Sequence, residues 1–211
     1  MQAADLAGPH RAHGAEATPD ASASAVSVPQ QRGHAGGQLQ AQAVIPAGLA
    51  PPPVSPLGLA GYSGPGPDLW FSSCHGGAGV STLTALIPRS ASAGRYWPMP
   101  VPPVRARVLL VARSHASGLC AAQAAARQWA AGVLPNVRLL GLVVIADAPG
   151  KRPRPLSELV RLISGGVPRL WELPWVEALR LGEQPSHIRL PSAYSRLADD
   201  LDRMVSEETH A

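Results

Sequence analysis

The chain has 211 residues, 18 Lys and Arg against 14 Asp and Glu, and a formal charge of +4. Its 21 Gly and 23 Pro make up about a fifth of the residues, well above the globular norm, so part of the chain is expected to lie outside a packed core. The longest apolar stretch, Leu142 to Ala146 extended upstream by Leu139, Leu140 and Gly141, falls far short of the roughly 20 residues a membrane span needs.

Residues 1–66 hold 15 Ala, 10 Gly and 9 Pro, and Tyr62 is their one aromatic. Such a segment has too little apolar surface to offset the entropy of ordering, so it is expected to be a disordered tail, stiffened from Pro51 to Pro53. Residues 67–211 hold all five Trp, the one Phe and both Cys, and are expected to form one domain with its own core. Arg11 and Arg32 against Asp5, Glu16 and Asp20 leave the tail at −1 and the domain at +5. The basic residues are scattered, so nucleic-acid contact is a secondary expectation. Cys74 and Cys120 give neither a disulfide framework nor zinc spacing. No secretory leader is visible, so a bacterial cytoplasm is the expected compartment.

Within the domain, Leu69 to Ser73 is an apolar strand that runs into a glycine turn. Thr82 to Ile87 begins a helix that Pro88 ends. Residues 88–104, rich in Pro, Ser and Gly, read as a loop. Arg107 to Ala112 and Leu139 to Ala146 are continuous apolar runs, expected as strands buried on both faces. Between them Gly118 to Val133 has Leu119, Ala122, Ala126, Trp129 and Val133 at helical spacing. Leu156 to Ile163 is helical and ends at Gly165 and Gly166. Val167 to Leu173 is a short strand, and Ser192 to Val205 a closing helix with Tyr194, Leu197, Leu201 and Val205 on one stripe. Alternating strands and helices predict an α/β fold, a reduced parallel sheet with helices on both faces. Right-handed crossovers would bring the strand C-terminal ends to one edge.

The segment Ser73 to Thr82, SCHGGAGVST, carries the chemistry. It follows a strand and opens a helix, as a phosphate loop requires. Gly76, Gly77 and Gly79 allow torsions that point successive N–H groups into an anion-binding hollow. Ser81 and Thr82 place hydroxyls where a magnesium ligand and a helix cap would sit. Cys74 reads either as a thiol activated at the head of the turn or as a buried inert one.

The segment resembles the deviant Walker A motif of the ParA and MinD family of P-loop ATPases, KGGxGK[ST][ST]. His75 stands at the family's signature lysine, Ala78 at the variable position, Val80 at the phosphate lysine, and Ser81 and Thr82 at the hydroxyl pair. The order RVLLVAR, an Ala-rich helix, LLGLVVIADAP, GGVPRLWELPW and RLGEQP is similar to the C-terminal half of that family. There a proline borders the adenine pocket, and Pro174 matches it. Residues 69–205 resemble more closely an uncharacterised actinobacterial family of degenerate P-loop proteins. The resemblance implies a P-loop NTPase-like fold and a homodimer; the cofactor stays open, with ATP as a weak ligand at most and Mg2+ only where nucleotide binds.

The departures argue against catalysis. Val80 puts no cation on the β and γ phosphates, and losing a charge-assisted hydrogen bond of about 1.5–3 kcal/mol weakens nucleotide binding by roughly one to two orders of magnitude. It also removes charge neutralisation from the transition state. Only residues 83–106 separate Thr82 from the next strand, and no apolar strand there ends in Asp, so the Walker B carboxylate and the switch segments are expected to be missing. Arg113 and His115, and Arg152 and Arg154, follow strands and are the residues placed to replace the lysine or to sit as solvated loop groups. Asp147 is expected either to face the base or to cap a loop. Trp171 and Trp175 flank Pro174 as a partner patch, as a stack on a base or, by the usual burial of Trp, as packing. No cluster has metal-ligand spacing, and no serine has the surroundings of a nucleophile elbow. The expected function is a catalytically inactive binding or scaffold protein with a protein partner. The alternative is a weak or partner-activated ATPase of partitioning or mobile-element transfer machinery.

Overall fold

A computed structural model describes residues 43–209. It has strands β1 (Gly58–Tyr62), β2 (Leu69–Ser73), β3 (Ser90–Ser92), β4 (Tyr96–Pro100), β5 (Ala106–Arg113), β6 (Val137–Ile145) and β7 (Leu170–Leu173). The helices are α1 (Val80–Leu86), α2 (Ala116–Ala130), α3 (Arg154–Ser164), α4 (Glu177–Arg180) and α5 (Ser192–Thr209). Five strands form one sheet in the order β3-β2-β5-β6-β7, every neighbouring pair parallel. The protein is therefore α/β, as the alternating pattern predicts.

The apolar runs became strands because both sheet faces are covered. On one face Val108, Leu110 and Ala112 of β5 meet Leu119, Ala122 and Ala125 of α2 and Leu159 and Ile163 of α3. On the other, Leu109 and Val111 meet Leu83 of α1 and Tyr194, Leu197 and Leu201 of α5. The α5 stripe is thus buried through Leu201, while Val205 is only half-buried. In β6 the alternation breaks: Leu139, Leu142 and Val144 face α2 and α3, whereas Leu140, Val143 and Ile145 face α1 and α5. The cause is a register shift, in which Val108 pairs with Leu139 but Leu109 with Gly141. One extra residue flips the parity of the strand beyond it. Ile145 thereby reaches the α1 side.

Two expectations are corrected. Residues 88–104 are not a plain loop, since they contain β3 beside β2 and β4 parallel to β1. Pro98 and Pro100 disguised β4, because proline cannot serve a central strand. Here β4 pairs on one side only, and prolines two residues apart place their missing N–H groups on the same side. Nor does the domain start at residue 67. Leu57 is buried, and β1 runs along β4. The amide of Gln128 on α2 accepts from the N–H of Leu57 at 3.2 Å and donates to its carbonyl at 2.9 Å. The same Oε1 accepts from Trp97 Nε1 at 2.9 Å, and Gln123 donates to the Val44 carbonyl at 3.1 Å. Val44 and Leu57 are held through their backbone by side chains more than 70 positions away, which local composition does not reveal. The rest of the expected tail lies outside the described residues.

Candidate functional site at the carboxyl edge of the sheet

From β2 the chain crosses to β3 on one side and then returns to β5 on the other. The strand order reverses between β2 and β5, and ligands of open α/β sheets bind at such a switch point beyond the strand carboxyl ends. At this edge lie the glycine turn after β2, Arg113 at the end of β5 with Ser114 and His115 beyond it, Asp147 after β6 and Pro174 after β7.

In the turn Gly77 (φ 73°) and Gly79 (φ 102°) take the left-handed conformation, and Gly76 does not. A Cβ on Gly79 would lie 2.7 Å from Ile145 Cδ1, so the parity flip of β6 helps make glycine necessary there. Gly76 and Gly77 are open to solvent on the outer side of the turn. Ala78 is buried. The N-cap of α1 is Gly79 with no side-chain cap, so Ser81 and Thr82 sit in the first turn and neither caps it. Val80 is 7% exposed and packs with Leu83 and Ile87. Its side chain serves the core.

Cys74 is buried and its thiol is pushed up to about 12, chiefly by burial, which resolves the two readings in favour of an inert thiol. His75 has a structural task. Its Nε2 accepts the Arg113 N–H at 2.9 Å, so the proton is on Nδ1, which donates to the Gly76 carbonyl at 2.8 Å. Its ring stands edge-on to His115 at 4.8 Å. His115 Nδ1 in turn caps α2 by accepting from Gly118 N–H at 3.0 Å. The two imidazoles therefore seat the glycine turn on the β5–α2 corner.

Burial holds His75 below its ordinary 6.5, against the opposing bond to Gly76. A folded histidine below its unfolded value binds fewer protons than the unfolded chain. Its contribution is complete above 6.5 and is lost as pH falls from there through the folded value. Melting temperature is expected to drop more between about pH 7.5 and about pH 5.5 in the wild type than in His75→Gln; equal drops would contradict this role.

The other residues partition around two cavities. A cleft of about 630 Å³ is lined by Ser114, His115, Asp147, Lys151, Pro174 and Trp175, among others. Asp147 and Pro174 thus line the same cleft, and the Asp147 N–H donates to Ser114 Oγ at 3.0 Å. Arg152 and Arg154 are taken by Glu172 and Glu158, which leaves them poor substitutes for a lysine. Trp171 is buried and donates to Asp200 at 3.0 Å, as packing predicts. Trp175 is half-buried, donates to Glu177 at 2.8 Å, and walls both cavities. The second cavity, about 30 Å³, is lined by Gly79, Thr82, Arg113, Ile145, Arg180 and Tyr194 with Trp175, Val176 and Leu179. Arg113 also donates to the Ala146 carbonyl at 2.9 Å. Sequence reasoning missed Arg180: it opens the block RLGEQP, but nothing local indicates that the four-residue α4 turns it toward the glycine turn. Among the described residues no three His, Cys, Asp or Glu converge as a metal site. No helix among them is long and apolar enough to cross a membrane.

A family model described as Family of unknown function (DUF6668) matches residues 67–190. The chain belongs to this family. The match includes the turn, both cavities' strand ends and α4. It leaves out β1 and α5. No curated protein and no solved structure matches the chain.

Proposed function

We propose that the domain is a catalytically inactive relative of the ParA and MinD type of P-loop ATPase, acting in a bacterial cytoplasm as a binding or scaffold protein that retains a polyphosphate-shaped glycine turn. Val80 carries this reading: where a phosphate lysine belongs, the side chain is apolar and packed in the core. A second feature supports it. β3, the strand beside β2, is Ser-Ala-Ser and is followed by Ala93, Gly94 and Arg95, so no carboxylate leaves it toward the turn. The edge carboxylates Asp147 and Glu172 lie instead around the larger cleft. Phosphoryl transfer depends on charge neutralisation and positioning, so a turn with no lysine of its own and no metal-holding carboxylate binds but does not turn over.

The test is ATP turnover by the pure protein with Mg2+, beside a Ser81→Ala/Thr82→Ala double variant. The rates are expected to coincide. A metal-dependent wild-type rate well above that control would favour the rival, an ATPase activated by a partner.

A further inference from the structure

We infer that Arg113 and Arg180, with the Thr82 hydroxyl, form a binding site for the terminal oxyanion of a phosphorylated ligand, two arginines from other elements standing in for the missing lysine. The inference rests on the reading of the turn as a phosphate cradle and adds the residues that supply its positive charge. Arg113 ends β5, Arg180 ends α4, and both line the 30 Å³ hollow that Gly79 and Thr82 also line. Two arginines lining one hollow repel each other, and proteins normally place a counter-charge beside such a pair. Neither makes an ion pair with a carboxylate among the described residues. Arg113 has only the Ala146 carbonyl, and Glu177, one turn before Arg180, is held by Trp175 Nε1. Tyr194 offers no anion either. Its hydroxyl donates to the Pro174 carbonyl at 3.1 Å, and burial raises its pKa.

The hollow has room for one or two water-sized groups. One or two oxygens of a phosphate therefore enter it, while the rest of the group lies toward the turn. Guanidinium forks match phosphate oxygens in a way a single ammonium does not. The ligand class is a phosphate monoester or diphosphate. The site selects it by charge and tetrahedral shape.

The test is calorimetric titration of the full chain at low salt with inorganic pyrophosphate, then with ADP and with acetate. The variants are Arg180→Gln, Arg113→Gln and, as a charge control, Arg161→Gln on the exposed face of α3. Arg180 is exposed, so its variant is expected to fold; melting curves check Arg113→Gln. Pyrophosphate affinity is expected to fall about ten-fold or more in Arg180→Gln and Arg113→Gln and to stay unchanged in Arg161→Gln. ADP binding with the same arginine dependence identifies a nucleotide as a source of the diphosphate, and pyrophosphate binding alone points to a free anion; both support the site. If wild type binds pyrophosphate and Arg180→Gln binds equally well, the arginine site is wrong while the cradle stands. Equal losses in all three variants would also overturn it, as a general field effect. Acetate binding as tight as pyrophosphate would refute the ligand class. No pyrophosphate binding by wild type would remove the cradle reading as well.

Discussion

Trp97→Ala is expected to lose about 3–5 kcal/mol of stability, the usual cost of emptying a large buried aromatic site. Trp97 is fully buried between the β1–β4 ribbon and α2, packed among Leu57, Val108 and Leu110. Its Nε1 also holds the Gln128 amide, which in turn holds both backbone groups of Leu57. Removing the indole therefore opens a cavity and loosens the clamp on residues 43–62. At about 2–4 °C per kcal/mol for a domain of this size, the melting temperature should fall by roughly 10 °C. Gln128→Ala should lower it less, and the two losses should be non-additive, because they share one hydrogen bond. A Trp97→Ala protein that melts within about 2 °C of wild type would show that the ribbon is peripheral to folding.

Gly118→Val is expected to cost about 2–3 kcal/mol, the upper part of the range for overpacking. A Cβ at Gly118 would lie 2.6 Å from the Arg113 carbonyl, 2.8 Å from His75 Nε2 and 3.0 Å from the His115 ring. Two of these neighbours seat the turn, and the third is the backbone that Arg113 hangs from. Valine and glycine differ in helix propensity by only about half a kcal/mol, so the clash decides the sign. The substitution should expel His75 from its place against Arg113 N–H, and the pH dependence tied to His75 should go with it. Denaturant unfolding at neutral and acid pH reads both effects. Unchanged stability would mean that the β5–α2 corner yields easily and that the histidine contact is incidental.

What was legible in the sequence was set by burial on two faces. β2, β5 and β6 announce themselves as apolar runs, and Leu119, Ala122 and Ala126 mark the buried side of α2. The glycine turn was legible because its torsional demands are written as residue types: Gly77 and Gly79 take the expected left-handed conformation, although Gly76 does not. The ribbon was hidden for the opposite reason. β1 reads Gly-Leu-Ala-Gly-Tyr and β4 carries two prolines, and what holds them is the amide of Gln128 and the indole of Trp97, distant partners that no local pattern encodes. The parity flip at Gly141 was equally invisible, yet it aims Ile145 at Gly79. In the site, Arg113 was placed correctly at the edge because it follows the apolar run Arg107 to Ala112 and ends β5. Its convergence with Arg180 depends on the path of residues 174–180 across the strand ends, a tertiary fact.

On the proposed reading the glycines supply a cradle for an oxyanion, while Val80 packs in the core and the neighbouring β3 ends without a carboxylate. The most direct test of that division is the phosphate released from ATP by the 211-residue chain, with Mg2+ and with chelator. The two traces are expected to be the same within error. A Mg2+-dependent release that disappears in Ser81→Ala/Thr82→Ala would contradict the account.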